Sequence, residues 1–216
     1  MDLNLGYTQD IIKVAKDKGL LRNELAYVLA TAYHETAHTM KPVKEAYWLS
    51  EDWRKKNLRY YPWYGRGFVQ LTWEVNYKRA SQEIGVDLVK NKDLALDPKI
   101  AAVILVIGMV EGWFVPGQTL SKYFTVSASN YTGARRIING VDKKDEVADW
   151  AKKYEKDLIA SGYGVDKPQK SIQTIPVVPA PIVPVESKAS TAPAVTTPSG
   201  VTWGSVLELL IKAFKK

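Results

Sequence analysis

The stretch from Tyr64 to Tyr77, YGRGFVQLTWEVNY, decides how the rest of the chain is read. Gly65 and Gly67 flank Arg66, and glycine lets a backbone turn tightly or approach a ligand closely. Phe68, Val69, Gln70, Leu71 and Thr72 then alternate in a way that suits a short strand or extended loop. In such a backbone Gln70 and Thr72, two residues apart, point to one face. Asn76 and Tyr77 follow within the next helical turn. Neutral hydrogen-bonding groups beside aromatic rings suit a sugar better than a phosphate. The same residues also fit a glycine-punctuated turn between two core elements, so the segments before it carry weight.

Residues 8 to 18 read as a helix with Thr8 as cap and Gly19 as stop. A second helix is expected to start at Asn23, a good N-cap, with Glu24 in its first turn. Its apolar positions Leu25, Val28, Leu29 and Ala32 follow the helical period, and Glu35 falls on the same stripe. A carboxylate there is costly unless paired or neutralised. Burial favours the neutral form of a carboxyl, which a general acid needs; a hydrogen-bonded structural group is the other reading.

The same helix end spells His34-Glu35-Thr36-Ala37-His38, a literal HExxH. On a continuous helix both histidines would share a face and could hold zinc, with Glu35 activating water. These are the only two histidines in the chain, and Pro42 breaks the helix soon afterwards. A zinc-dependent peptidase is therefore the rival reading.

Beyond Pro42, KEAYWLSEDWRKKNLRYYPW is charged and aromatic together. Glu45 follows Glu35 across a helix break, so the two carboxylates can face each other over a groove. Inverting glycosidases need one protonated carboxyl and one carboxylate, roughly 6.5–9.5 Å apart with water between. Taken singly, Glu45 reads as an exposed, solvated glutamate like its neighbours Glu51 and Asp52.

The order of these residues resembles glycoside hydrolase family 19, which groups plant-type chitinases with phage endolysins that cut peptidoglycan. The shared pattern is a helix ending in His-Glu-Thr (34–36), then a second glutamate (Glu45), then Tyr-Gly-Arg-Gly-x-x-Gln-Leu-Thr (64–72) and Asn-Tyr (76–77). The helix from Asn91 to Val110 and Ile137-Ile138-Asn139-Gly140 extend the likeness over roughly residues 20 to 160. The short interval between the glutamates resembles the endolysin branch. The family's arginine shortly after Ile-Asn-Gly has no counterpart in sequence; Lys143, Lys144, Asp145 and Glu146 occupy that region.

The resemblance implies a mainly α, lysozyme-like two-lobed helical domain with a minor β or loop element at the cleft. It implies hydrolysis of β-1,4 bonds between amino sugars by an inverting acid/base mechanism. Glu35 would act as acid and Glu45 as base, and Thr72 would both donate to and accept from the attacking water. Tyr64, Arg66, Gln70, Asn76 and Asn139 would bind sugar. No metal and no cofactor is implied. Peptidoglycan is the expected substrate, with chitin, or an inactive sugar-binding homologue, as alternatives.

Elsewhere the sequence is read without that help. Asp97 as cap, Pro98 at the first helical position and the apolar run to Val110 predict a central buried helix over 97–112, too short to span a membrane. A further helix is expected to end near Asn139-Gly140. A last one runs from about Asp145 to Ala160 with Val147, Trp150, Ala151, Tyr154 and Leu158 on one face. Seven Trp and twelve Tyr suit either a carbohydrate cleft or a core, and the net charge of +7 fits an anionic partner. No nucleic-acid-binding signature accompanies that charge. The absence of cysteine gives no disulfide framework. The N-terminal residues lack an apolar signal-peptide core, so the expectation is synthesis in a host cytoplasm and action on the wall after release, as a monomer.

The catalytic domain is placed at 1–165. Seven of the eleven prolines fall in the Val/Ala/Thr-rich segment 166–200, which reads as a linker. In residues 201–216, Trp203, Val206, Leu207, Leu210 and Phe214 form an apolar stripe, with Lys212, Lys215 and Lys216 near its end. That pattern predicts a cationic amphipathic helix lying on an anionic membrane surface, or docking on its own domain or another copy.

Overall fold

The computed structural model describes residues 1–164. The expected linker over 166–200 and helix over 201–216 lie outside the described residues. What is described is mainly helical: α1 Thr8–Asp17, α2 Arg22–Glu35, α3 Glu51–Asn57, α4 Glu74–Ile84, α5 Pro98–Glu111 and α6 Lys144–Ala160. Two short strands, β1 Val43–Lys44 and β2 Arg66–Gly67, pair antiparallel with Val43 opposite Gly67.

α2 is the axis of the fold. Asn23, every residue from Leu25 to Ala32, and then His34 and Glu35 are buried, so apolar and small side chains meet neighbours on nearly all sides. Its main neighbour is α6, whose Val147, Ala148, Ala151, Tyr154 and Leu158 supply the opposing face, while α1 packs on α5. α5 behaves as its sequence predicts: Asp97 accepts from the backbone N–H of Lys99 and Ile100, and Pro98 opens the helix. Gly112 at φ +70° ends it.

Two helix starts differ from expectation, each because a side chain found a better partner. Tyr7, not Thr8, holds the N-cap position of α1, since the Thr8 hydroxyl donates back to the Leu5 carbonyl at 2.6 Å. α2 begins at Arg22, with Leu21 as cap, because the Glu24 carboxylate reaches back to the Leu21 N–H at 2.9 Å. Asn23 instead ties the helix to a distant loop, donating to the carbonyl of Thr125 and to Ser129 Oγ.

The helix expected before Asn139 is a 3₁₀ turn, Gly133–Ile137. Asn130 accepts from the Gly133 N–H and tightens that turn. Tyr64 to Thr72 is likewise no run of strand. Arg66 and Leu71 exchange both backbone hydrogen bonds, at 3.2 and 2.8 Å, closing a loop in which Gln70 sits at φ +54°. Gly67 lies at φ +89°, where a Cβ would come within 2.8 Å of the Ala95 carbonyl. This loop faces the C-terminal end of α2.

Candidate active site

A cleft of about 130 Å³ opens between the end of α2 and the glycine-rich loop. Glu35 lies on one side; Val69, Gln70, Thr72, Trp73 and Asn76 form the other; Phe114, Ile138 and Asn139 close it. A larger hollow of about 480 Å³, beside Leu3, Lys16 and Tyr163, has no carboxylate in its lining and offers no acid/base pair.

Glu35 is the last residue of α2 and is 7% exposed. Its Oε1 accepts from Arg135 Nη1 at 3.0 Å, across a sequence separation of 100 residues. Arg135 is 1% exposed. The 3₁₀ turn carries it, and its Nε donates to the Asp142 carbonyl at 2.9 Å. Burial of the pair is tolerable because each charge compensates the other. The second oxygen of Glu35 has no hydrogen bond among the described residues, so it is available to a ligand in the cleft.

Thr72 and Gln70 do share the cleft, through the tight loop and not through strand alternation. The Thr72 hydroxyl donates to the Gln70 carbonyl at 2.7 Å. Its proton is therefore engaged, and only its lone pairs remain for a water, which corrects the expectation that it would donate as well. The Gln70 amide donates to the carbonyls of Val43 at 3.0 Å and Gly67 at 3.3 Å, pinning β1 to the loop. A Cβ on Gly65 would stand 2.6 Å from Gln70 Oε1, so glycine is required for that packing. Asn76 donates to the Thr72 carbonyl at 2.8 Å. Its carbonyl oxygen and the Asn139 side chain have no hydrogen bond among the described residues, so both remain open to the cleft.

Glu45 is only 2% exposed, not the solvated glutamate of the simplest reading, and it does not line the cleft. Its Oε1 accepts from the Tyr60 hydroxyl at 2.6 Å and its Oε2 from the Gly65 N–H at 2.9 Å. Arg54 bonds its backbone, with Nε and Nη2 each 2.8 Å from the carbonyls of Glu45 and Ala46. The glycine-rich loop thus supplies a donor to one carboxylate and a cleft wall to the other.

Tyr64 and Arg66 do not reach the cleft, and the expectation that they bind sugar gives way to a structural role. Arg66 is 4% exposed. It lies 3.7 Å from the Tyr64 ring centroid. It donates to Asp93, to the carbonyls of Pro62 and Tyr64, and to the Tyr77 hydroxyl. Burial pushes the Tyr64 hydroxyl up to about 12. Burial also raises Asp93, but Lys44 and Arg66 outweigh it and hold that carboxyl below its usual range. Its Nε and Nη1 thus tie the loop to itself, to Asp93 and to α4.

The two histidines do not form a helical zinc pair. α2 stops at Glu35, and Ala37 and His38 take φ of +48° and +69°. His38 is therefore off the helical i+4 position, with its ring stacked on Tyr33 at 4.5 Å and edge-on to Trp150 at 4.8 Å. Burial, followed by the positive charge of Arg135, lowers the His34 imidazole to about 3. Among the described residues no group of three His, Asp or Glu side chains is arranged to hold a metal ion.

Sequence reasoning missed Arg135 and Tyr60. Arg135 precedes Ile-Ile-Asn-Gly instead of following it, and with Arg136 beside it nothing in the sequence singled it out. Tyr60 lay among many aromatics, and nothing in spacing marked it as the neighbour of Glu45.

A family model described as Chitinase class I, glycoside hydrolase family 19, matches residues 30–118, which span the end of α2, both glutamates and the glycine-rich loop. Chitinase 8 of Oryza sativa subsp. japonica is 29% identical over 173 residues, covering 67% of this chain and 64% of that protein. Chitinase 5 of the same plant is 37% identical over 87 residues, covering 37% of this chain and 30% of its own length. The chain thus spans between about a third and two thirds of these relatives. The crystal structure of chitinase C from Streptomyces griseus HUT6037 shares the fold, with a TM-score of 0.54 at 20% identity over 69% of this chain and 67% of that one. His-Glu-Thr, Glu45, the glycine-rich loop and Asn76-Tyr77 thus stand in order on a lysozyme-like helical fold, and residues 30–118 carry the likeness to glycoside hydrolase family 19.

Proposed function

We propose that the chain is a glycosidase that hydrolyses β-1,4 bonds between amino sugars of bacterial peptidoglycan with inversion, as a phage lysis enzyme does. The observation that carries this is Glu35, held by Arg135 at one end of a cleft whose opposite wall is neutral and hydrogen-bonding. Glu35 protonates the leaving glycosidic oxygen through its unbonded oxygen, and Arg135 stabilises the carboxylate that remains. Glu45, although outside the cleft lining, is assigned the proton of the attacking water, and Thr72, within the lining, accepts a hydrogen of that water. Asn76 and Asn139 meet amide and hydroxyl groups of the sugars.

The net charge of +7 favours peptidoglycan, whose peptide stems carry carboxylates, over neutral chitin. Chitin is the second reading, favoured by the names of the relatives. Mass spectrometry of digested peptidoglycan decides: new reducing amino-sugar ends support the glycosidase. Anhydro ends or free peptides contradict it, as does full loss of activity with EDTA. Cleavage of chitin oligomers alone selects the second reading.

The proposal extends to residues 201–216. At about 1.5 Å per residue a helix there is near 24 Å long, shorter than a hydrocarbon core of about 30 Å, so it would lie in the interface. Trp203, Leu207, Leu210 and Phe214 would enter the bilayer surface, and Lys212, Lys215 and Lys216 would meet anionic headgroups. The chain would act as a monomer on the wall after release from the cell that made it.

A further inference from the structure

Trp73, Tyr60 and Glu45 form a chain of contacts that starts at the cleft lining. Trp73 lines the cleft at φ +74°, and the Tyr60 ring packs beneath it at 5.0 Å. The Tyr60 hydroxyl lies 2.6 Å from Glu45 Oε1. We propose that Tyr60 is a positioning residue for Glu45, fixing the orientation of the carboxylate and stabilising its ionised form while water is activated. The inference rests on the reading of Glu45 as the base.

A carboxylate this buried needs donors, and an O–H aimed at a charged oxygen is among the stronger ones. Burial, then the charge of Glu45, pushes the Tyr60 phenol above its ordinary range, so it keeps its proton and remains a donor. Both oxygens of Glu45 are held, one by Tyr60 and one by the Gly65 N–H. Each keeps a lone pair for the water. The other charged groups close by are already engaged or stay charged. From α3, Arg54 binds the Glu45 and Ala46 carbonyls, and Glu51 pairs with Arg54 and Tyr64. Lys44 on β1 and Arg66 on β2 both hold Asp93. Arg59 lies over Trp73, 5.3 Å from its ring centroid. Among the described residues Tyr60 is therefore the one side-chain donor bonded to the carboxylate itself.

The test is Tyr60→Phe, which deletes one oxygen and keeps the ring. Turnover of soluble, uncrosslinked peptidoglycan strands is measured against pH, and the Glu45 side-chain carbon is titrated by carbon-13 NMR, assigned through Glu45→Gln. The expected result is that the acidic limb of kcat and the Glu45 titration both move up by about one pH unit, with KM unchanged. An unmoved titration overturns the proposal, as does a uniform loss at every pH with a lowered Tm. A shifted titration with an unmoved rate limb also overturns it, because Glu45 is then not the base; a failed glycosidase reading instead shows as no glycan cleavage by either protein. Should Tyr60→Phe not fold, the wild-type Tyr60 hydroxyl proton is expected as a downfield, slowly exchanging resonance that disappears in Glu45→Gln. Its absence from the wild type contradicts the bond.

Discussion

The two glutamates are held in opposite ways. Glu35 ends the most buried helix and faces a permanent cation brought from 100 residues away. Glu45 follows a two-residue strand and is held by neutral donors no more than 20 residues distant, the Tyr60 hydroxyl and the Gly65 N–H. One carboxylate depends on the packing of the whole helical core, the other on a local loop. An acid needs a partner that accommodates the charge it acquires after giving up its proton. A base needs donors that keep it oriented without locking its lone pairs in an ion pair. The same side-chain type thus serves two roles through its surroundings.

Breaking the acid side gives the largest effect. Glu35→Gln keeps an oxygen for Arg135 but has no proton to donate, so turnover is expected to fall about 10²–10⁴-fold, with the circular-dichroism melt lowered because Arg135 loses its counter-charge. Retention of a tenth of wild-type activity would remove Glu35 from the acid's role. Arg135→Ala cuts activity too and costs stability, because removing one partner of a buried pair is worth about 3–5 kcal/mol, read in urea titration. A melt like the wild type's would show that the contact does not hold the core.

The neighbouring histidine sharpens the contrast by pH. His34 binds its proton at about 3 when folded, against 6.5 for an ordinary imidazole. A lowered folded value means the unfolded chain takes up the proton first. The contribution is complete above about pH 6.5 and is lost as pH falls toward 3, at up to about 1.4 kcal/mol per pH unit. Urea midpoints at pH 7, 5.5 and 4.5 should fall steeply, and less steeply in His34→Gln. Equal slopes in the two proteins would contradict the assignment.

Much of the helical frame was legible because it is written locally. Asp97-Pro98 marks the start of α5, and the apolar face of α6 can be counted along its sequence. Glu35 stood out as a carboxylate on an apolar stripe. The glycine-rich loop was legible as a site but not as a shape, since alternation suits a short strand or an extended loop whereas the positive φ of Gln70 and Gly67 makes a closed turn. Arg135 was missed because its meaning lies in a contact far away in sequence, and spacing rules see only neighbours. Arg66 misled for the converse reason: a cation in a site motif suggests a ligand, yet its Nε and Nη1 bond other groups of the protein.

The smallest expected effect lies far from both glutamates. Deleting residues 166–216 should leave hydrolysis of purified peptidoglycan nearly unchanged while reducing binding to anionic vesicles, more so at low salt. Equal vesicle binding by the full and shortened proteins would leave docking or self-association as the role of residues 201–216.

The division of labour between Glu35 and Glu45 is tested most directly by the stereochemistry of the first product. Proton NMR of a fresh digest of soluble amino-sugar oligosaccharide reads the anomeric proton before mutarotation. An acid and a base acting on opposite faces of the sugar ring give the inverted α-anomer. Retention of the β-configuration, or an anhydro end in its place, would contradict the two-glutamate mechanism.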